Sequence, residues 1–182
     1  MGEGKPVDKI FSGMPFIEIM DCTLRDGEQT SGVSFLPHEK LMIARMLLRD
    51  VNVDRIEVAS ARISEGEKDA VRMICRYARQ AELLHKVEIL GFVDGYLSID
   101  WIDNCGGKVM NLLAKGSERH CSKQLHKTVD EHINDIVFSL EYAEKKGIDV
   151  NLYLEDWSNG MKNSPEYIYK MLDVLTHKNI KR

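Results

Sequence analysis

Several features that mark particular protein classes are scarce in this sequence. Its 182 residues include only 4 prolines and 13 glycines, which excludes collagen-like and linker proteins. No apolar run approaches the roughly 20 residues of a membrane helix, and the first residues lack the apolar segment of a secretory signal. Basic residues are not in excess, since 25 Lys and Arg face 29 Asp and Glu, and this disfavours nucleic-acid binding. These absences predict a cytoplasmic protein with no membrane or nucleic-acid partner.

Signals for disulfides and for a self-sufficient metal site are also missing. The four cysteines form no C-x-x-C pair, so reduced and mostly buried thiols are expected. The histidines include no H-x-H or H-x-x-x-H pair. His85, His126, His132 and His177 fall on predicted helices or helix ends and are interpreted as structural or solvent-facing. A catalytic metal usually needs several protein ligands, and the sequence alone does not supply such a set.

What the sequence does contain is a regular alternation of strand-like and helix-like apolar patterns. Ser64 with Glu67, and Thr128 with Glu131, are predicted capping boxes, and Ser164 is a predicted N-cap before a proline. In the first helix an apolar face is predicted for Leu41, Ala44, Leu47, Leu48 and Val51. The predicted strands are Phe16–Met20, Arg55–Ala59, Val87–Val93, Lys108–Ala114 and Asp149–Leu154, and the predicted helices cover Pro37–Val51, the residues after Ser64, Ile99–Asn104, the segment from Thr128 to Gly147, and the residues after Ser164.

Strict alternation of strands and helices predicts a parallel sheet in an α/β protein. Two architectures remain open at this point. A doubly wound open sheet of five strands suits the length, whereas a closed (β/α)₈ barrel needs about 250 residues. Length alone therefore favours the open sheet. In either architecture, ligands bind at the carboxyl ends of the strands.

The segment after the first strand is dense in charged and small residues, from Asp21 to Gly32. Asp26 is a candidate ligand for a hard divalent cation. Arg25 is a candidate for holding a carboxylate or stabilising a developing oxyanion. The alternative is an ordinary surface salt bridge beside a turn.

Candidates follow or occupy three later strands. Glu57 lies inside an otherwise apolar strand, where it is either a site residue or a buried ion-pair partner. Ser117 and His120 follow the fourth strand, with a plain surface loop as the alternative for His120. Glu155 and Asp156 end the fifth strand, where one carboxylate is a plausible base and helix capping by Asp156 is the alternative.

The nine residues Asp21-x-Thr23-Leu24-Arg25-Asp26-Gly27-Glu28-Gln29 resemble the signature of the DRE-TIM metallolyases. This family includes the 2-isopropylmalate, homocitrate and citramalate synthases and 3-hydroxy-3-methylglutaryl-CoA lyase. Shorter matches occur at the second, third and fifth strands. The resemblance implies a (β/α)₈ TIM barrel, truncated here to about its first five βα units. Residues 1–14 are then an N-terminal tail and residues 15–182 a partial catalytic barrel.

The resemblance also implies a reaction, in which acetyl-CoA is enolised, condenses with a 2-oxo acid and loses its thioester by hydrolysis. A divalent metal, Mg²⁺, Mn²⁺ or Zn²⁺, would chelate the 2-oxo acid. By motif position Asp26 would be a metal ligand, and Arg25 would steady the enolate or alkoxide. Glu57 and Glu155 would be acid/base or substrate-orienting carboxylates, with Glu155 moving the proton. The expected substrate-binding residues are Gln29, Leu90, Leu113, Ser117, His120 and Tyr153.

Substrate choice depends on the side chains that face the 2-oxo acid. If Leu90, Leu113 and Tyr153 do so, they leave room for the methyl group of pyruvate, giving citramalate, and crowd the isopropyl group of 2-oxoisovalerate, the alternative substrate. In the family, citramalate and 2-isopropylmalate, the product formed from 2-oxoisovalerate, both belong to branched-chain amino-acid biosynthesis. A second substrate carboxylate would need an extra basic partner, which makes homocitrate synthesis less expected. The sequence also leaves open an inactive half-barrel module and an acyl-CoA lyase, and a longer parent enzyme is expected to form a homodimer.

Overall fold

The computed structural model describes residues 17–182. Within them, five strands form one parallel sheet in the order β1-β2-β3-β4-β5, which is the strand order of an opened barrel. The strands are β1 Met20–Asp21, β2 Arg55–Ser60, β3 Val87–Phe92, β4 Val109–Lys115 and β5 Asp149–Glu155. The helices are α1 Pro37–Arg45, α2 Glu65–Gln80, α3 Leu97–Cys105, α4 Glu118–His120, α5 Val129–Lys145, α6 Trp157–Asn163 and α7 Pro165–Leu175.

Side-chain contacts between strands that are not neighbours show that the sheet is curved. The Asn111 Nδ2 atom on β4 donates to Glu57 Oε1 on β2 across 2.7 Å, and the Tyr153 hydroxyl on β5 lies 3.5 Å from the sulfur of Met20 on β1. Both contacts cross the concave face. The sheet is therefore a half-barrel, which confirms the predicted truncated TIM barrel and excludes the open doubly wound sheet. We call the end of the half-barrel at the carboxyl ends of its strands the mouth.

The two faces of the sheet differ in chemistry because side chains alternate along each strand. The outer face is apolar and packs against the helices, with Ile56, Ile89 and Leu112 fully buried against the core side chains of α2 and α5. The concave face carries polar groups that are equally buried. Its fully buried members are Glu57, Glu88, Asn111 and Asn151.

The first strand is shorter than predicted and lies later in the chain. The prediction was Phe16–Met20, of which Phe16 lies outside the described residues, and pairing occurs only at Met20 and Asp21. The side chains of Ile17 and Ile19 are exposed. The backbone carbonyl of Ile19 accepts from the N–H groups of Asp54 and Arg55, so the chain before Met20 is fixed by the turn that precedes β2 rather than by a strand.

The first helix changes its hydrogen-bonding period, which corrects its predicted apolar face. The α-helix ends at Arg45 and continues as a π-helical turn over Met46–Val51. Leu48 is buried as predicted, but Val51 is 63% exposed. A π turn adds one residue per hydrogen-bonded ring, and this shifts the residues after it away from the core.

Two of the three predicted cap arrangements are incomplete. Thr128 and Glu131 form both bonds of a capping box. Ser64 accepts from the Glu67 N–H as predicted, but the Glu67 carboxylate is used elsewhere. The Ser164 side chain makes no cap bond to α7, although the proline that follows it starts that helix as expected.

The chain after α7 returns to the sheet. The N–H of Lys181 donates to the Val150 carbonyl, and the N–H of Leu152 donates to the Arg182 carbonyl. These two bonds hold Lys181 and Arg182 against the edge of β5. All four cysteines are free thiols. None of the helices within residues 17–182 is long and apolar enough to cross a membrane.

Candidate active site

Arg25 is held at the mouth by a tight turn that follows β1. The N–H groups of Arg25, Asp26 and Gly27 all converge on the Cys22 carbonyl, at 3.1, 2.8 and 3.1 Å. The Arg25 side chain then turns inward, and its Nε donates to Glu57 Oε2 across 2.5 Å. Because Glu57 is fully buried, this guanidinium is its charge partner. Glu57 therefore points into the concave face, where it is a buried ion-pair partner of Arg25.

Asp26 sits at the rim of the mouth beside Arg25. Its Oδ1 accepts from Arg25 Nη1 across 2.7 Å, and its side chain is 63% exposed. Gln29 lies on the next turn, and with Arg25 it lines a cavity of about 440 Å³ between this loop and the start of α2. Arg25 and Asp26 are thus ion-paired, with the guanidinium directed inward and the carboxylate toward solvent.

The Glu57 carboxylate begins a chain of hydrogen bonds across the half-barrel. Asn111 donates to its second oxygen, and Asn151 Nδ2 donates to Asn111 Oδ1 across 2.8 Å. The network therefore links β2, β4 and β5 through amides that are fully buried. Sequence patterns did not single out either asparagine, because an Asn inside an apolar strand gives no signal of where its amide points.

A second charged pair stands at the ends of β4 and β5. Lys115 and Glu155 are directly opposite in the strand register, and their side chains form an ion pair. Alternation places them on the same face as Asn111 and Asn151, four residues further toward the mouth. Glu155 was expected here, but its lysine partner was not.

The three residues proposed to select the substrate all belong to the concave face. Leu90 is buried opposite Asn111, while Leu113 lies between Phe92 and Tyr153 in the register. Burial, followed by the nearby Glu57 and Glu88 charges, raises the pKa of Tyr153 to about 12, so its phenol is neutral. Uncharged side chains therefore line the concave face between the Arg25–Glu57 and Lys115–Glu155 ion pairs.

Ser117 and His120 both contact Asp156, for which the sequence allowed either a role as a base or helix capping. The Ser117 hydroxyl donates to Asp156 Oδ2 across 2.8 Å, and His120 Nε2 lies 3.5 Å from the same oxygen. Asp156 makes no cap bond to α6. Its pKa is lowered by its bonds to Asn159 and Ser117. This cluster ties the loop after β4 to the loop after β5.

A buried lysine behind the Arg25 turn was missed by the sequence analysis. Lys40 on α1 is only 1% exposed. Its ammonium donates to the Leu24 carbonyl across 3.0 Å and pairs with Glu28 and Glu67 at 2.6 and 2.5 Å. It therefore fixes the peptide that precedes Arg25. The sequence shows a lysine on the apolar side of the first helix, but the pattern does not reveal that its side chain is buried.

The described residues do not by themselves make a metal site. No group of three or more His, Cys, Asp or Glu side chains within residues 17–182 is arranged to hold an ion. Asp26 is one candidate ligand, and the neighbouring Glu57 is already satisfied by Arg25 and Asn111. One carboxylate is too few donors for a catalytic ion.

A parallel half-barrel with charged groups at the carboxyl ends of its strands has the site geometry of a TIM-barrel enzyme. Comparison with solved structures agrees. A 3-hydroxy-3-methylglutaryl-CoA lyase from Bacillus subtilis superposes with a TM-score of 0.62 at 17% identity, over 85% of this chain and 55% of that one. At this identity the likeness concerns the fold alone.

The family follows from the sequence comparison. The HMGL-like family model matches residues 16–181, and the chain belongs to that family. It is 35% identical over 159 residues to a putative (R)-citramalate synthase from Methanopyrus kandleri, covering 87% of this chain and 29% of that protein. It is 38% identical to a homocitrate synthase from the same organism, over 84% of this chain and 37% of the relative. A 2-isopropylmalate synthase from Methanocaldococcus jannaschii is 36% identical, over 77% and 26% respectively.

The chain therefore spans between a quarter and two fifths of the length of these relatives. The family resemblance found in the sequence is confirmed. The relatives are named for three different products, so family membership leaves substrate choice open.

Proposed function

We propose that this chain supplies the first five βα units of a synthase that condenses acetyl-CoA with a small 2-oxo acid. The observation that carries the proposal is the Arg25 guanidinium, which the buried Glu57 carboxylate holds at the mouth beside Asp26. A cation fixed in this way is placed to stabilise an oxyanion. The similarity to citramalate, homocitrate and 2-isopropylmalate synthases supports the same reaction class.

In the proposed reaction Glu155 removes a proton from the acetyl methyl group. The C–H bond breaks, its electron pair becomes the enolate of the thioester, and the proton forms an O–H bond with the Glu155 carboxylate. The enolate carbon then attacks the ketone carbon of the 2-oxo acid, whose oxygen becomes an alkoxide facing Arg25. The alkoxide becomes a hydroxyl by taking up a proton, and Glu155 returns to its carboxylate by releasing one. Water finally attacks the thioester carbonyl, the C–S bond breaks, and CoA leaves as the thiol while the product keeps the new carboxylate.

We further propose pyruvate as the 2-oxo acid, with 2-oxoisovalerate as the alternative. Leu90, Leu113 and Tyr153 line the concave face with apolar and aromatic bulk that suits a methyl group. One or two methylenes change such selectivity by only about 1–3 kcal/mol. Lys115 is a basic group at the same mouth, but its charge is already met by Glu155, so a free dicarboxylate partner is not provided.

The whole protein is proposed to work in branched-chain amino-acid biosynthesis in the cytoplasm, as a homodimer acting on small molecules. It would use a divalent metal, Mg²⁺, Mn²⁺ or Zn²⁺, with Asp26 as one ligand and the remaining ligands outside the described residues. Membership of the HMGL-like family, which matches residues 16–181, keeps cleavage of an acyl-CoA as the second candidate function.

The test is release of free CoA from acetyl-CoA by the protein that contains this chain. We expect a free thiol to appear only when a divalent metal and a 2-oxo acid are both present, and faster with pyruvate than with 2-oxoisovalerate. Failure of both acids would reject the synthase. Cleavage of 3-hydroxy-3-methylglutaryl-CoA in a parallel assay would favour the lyase.

A further inference from the structure

Lys115 is the last residue of β4 and lies beyond the end of the neighbouring strand β3. On one side β4 pairs with β5 up to Glu155, and the next residue, Gly116, donates its N–H to the Glu155 carbonyl across 2.7 Å. On the other side β3 ends at Phe92, which is paired with Leu113. The N–H and carbonyl of Lys115 face that vacated side, because both backbone groups of a residue in a parallel ladder point to the same neighbour.

Two helices supply the partners that the missing strand would have given. The N–H of Lys115 donates to His132 Nε2 on α5 across 3.0 Å, and the hydroxyl of Tyr167 on α7 donates to the Lys115 carbonyl across 2.8 Å. Both side chains are buried. The backbone of Lys115 is therefore fixed from two directions, as the backbone of a central strand is.

The protonation states of these two side chains suit their roles. Burial lowers the pKa of His132 to about 4, so at neutral pH its ring is uncharged and Nε2 can accept. Burial also raises the pKa of Tyr167 well above its usual value, so its hydroxyl keeps the proton that it donates. At neutral pH both side chains therefore keep the protonation states that their hydrogen bonds to Lys115 require.

We propose that Lys115 is a positioning residue that holds the Glu155 carboxylate in place at the mouth. This inference rests on the proposed function, in which Glu155 is the proton acceptor. An ordinary exposed ion pair contributes little because both long side chains must be immobilised. Here the lysine backbone is held by two hydrogen bonds and its side chain is only 17% exposed, whereas the Glu155 side chain is 40% exposed, so the lysine is the more constrained member of the pair.

A different role for the same lysine makes a different prediction. If Lys115 instead bound the distal carboxylate of a dicarboxylic 2-oxo acid, its loss would weaken binding of that acid alone. A positioning role predicts that the rate of proton removal falls while substrate binding is largely kept. Kinetic measurements on the protein that contains this chain separate these two roles.

The first experiment needs no activity. Exposed carboxylates of the protein that contains this chain are labelled with a carbodiimide and a nucleophile, and the extent at Glu155 is measured by mass spectrometry. Lys115→Met is expected to raise labelling of Glu155 severalfold, and Lys115→Arg is expected to restore the original extent. The matched control is Lys178→Met, which removes the cation from the exposed pair with Glu141 and is expected to leave Glu155 unchanged. Circular dichroism checks that each variant is folded.

The second experiment measures catalysis and acetyl-methyl proton exchange in D₂O. With Lys115→Met, kcat and the exchange rate are expected to fall about 10²-fold, the effect of misplacing a reacting group by about 1 Å, while KM for pyruvate stays within roughly a factor of three of the original, as expected when transition-state stabilisation alone is lost. Lys115→Arg is expected to recover most of the rate. A rise in KM for 2-oxoglutarate with kcat unchanged would overturn the inference in favour of direct substrate binding.

The two experiments distinguish failure of the inference from failure of the proposed function. If the unmodified protein condenses no 2-oxo acid, the proposed function is wrong, and the labelling still decides whether Lys115 holds Glu155. If labelling of Glu155 is the same in Lys115→Met and in the unmodified chain, the inference is wrong whatever the activity.

Discussion

Glu57 on β2 and Asn111 on β4 are hydrogen-bonded across 2.7 Å although β3 separates their strands. Strands two apart in a sheet lie roughly 10 Å from each other, so the two side chains extend toward each other over β3, while the Tyr153–Met20 contact between β5 and β1 requires the sheet to curve. The Asn111 bond also explains why Glu57 can be buried, since its other oxygen is bound by Arg25. The hydrogen bonds across the concave face and the candidate site thus depend on the same carboxylate.

Removing the amide of Asn111 is expected to destabilise the fold. Asn111→Leu leaves one oxygen of the buried Glu57 carboxylate without a donor and removes the acceptor of Asn151. The expected loss is about 1–3 kcal/mol in the free energy of unfolding, measured by urea denaturation with circular dichroism. Asn179→Leu is the control, because its amide bonds Glu144 at the surface. Equal midpoints for the two variants would contradict the burial argument.

Replacing Arg25 by lysine is expected to abolish most activity while the charge is kept. Lysine cannot bond Glu57 and Asp26 at once in the fixed geometry of a guanidinium. If Arg25 stabilises the oxyanion, kcat/KM of the protein that contains this chain should fall about 10²–10³-fold. Arg62→Lys is the control, since Arg62 pairs with Asp94 and is 44% exposed. Activity retained in Arg25→Lys would remove Arg25 from the proposed catalytic role.

Lys40→Met is expected to be strongly destabilising. The substitution leaves the Glu28 and Glu67 carboxylates facing each other without their cation, and breaking a buried pair typically costs about 3–5 kcal/mol. Glu67→Gln in the same chain should recover part of this loss, because it removes one of the two like charges. Lys170→Met at an exposed pair with Asp130 should change stability by less than about 1 kcal/mol.

The same substitution should loosen the turn that carries Arg25. Hydrogen exchange of the amides of Arg25, Asp26 and Gly27, which share the Cys22 carbonyl, is the local measurement. We expect faster exchange there in Lys40→Met than in the Lys170→Met control. Unchanged exchange would mean that the turn is held by its own backbone bonds alone.

The free energy of unfolding is expected to fall as the pH decreases from about 6.5 to about 4, because the fold keeps His132 neutral over this range. Its pKa is about 4 in the fold, because burial disfavours the imidazolium, and about 6.5 in an unfolded chain. Between these values the unfolded state binds more protons, so the contribution is complete above about pH 6.5 and is progressively lost as pH falls toward about 4. The difference of about 2.5 pKa units amounts to roughly 3–4 kcal/mol.

Urea denaturation at a series of pH values measures this dependence. His132→Gln keeps an acceptor for the Lys115 N–H but does not titrate, so the slope of stability against pH between about 4 and 6.5 should become shallower. His85→Gln, at an exposed position, is the matched control and should keep the original slope. A slope that is the same in all three proteins would show that His132 is not the titrating group.

Local patterns in the sequence were sufficient for the order and type of the elements. Arg55–Ser60 and Asp149–Glu155 lie where alternating or apolar runs predicted strands, and Thr128 begins α5 with the predicted capping box. Val51 was wrongly predicted to lie on the buried face of the first helix, because a π turn changes the helical period and leaves no clear signal in the local sequence. The start of β1 was misplaced because few of its backbone groups are paired.

Arg25, Asp26, Glu57 and Glu155 were singled out from residue type, position within or after a strand and family signature. Asn111 and Lys115, which bind Glu57 and Glu155, were not, because such a contact is defined only in space. Lys115 ends a strand and looks like a solvent-facing residue, and Asn111 looks like an interruption of an apolar run. Each finds its role through a residue 40 or 54 positions away.

By itself, the sequence determined that five βα units follow one another and that charged residues stand at the carboxyl ends of the strands, since both are properties of neighbouring residues. Only the tertiary structure decided which carboxylate meets which cation. Side chains of β2 and β4 meet over β3, and the unequal lengths of β3 and β4 leave the Lys115 backbone to be held by two helices. Those pairings depend on how side chains from distant segments fill one enclosed space, where an unpaired charge or amide costs more than any local preference can offset.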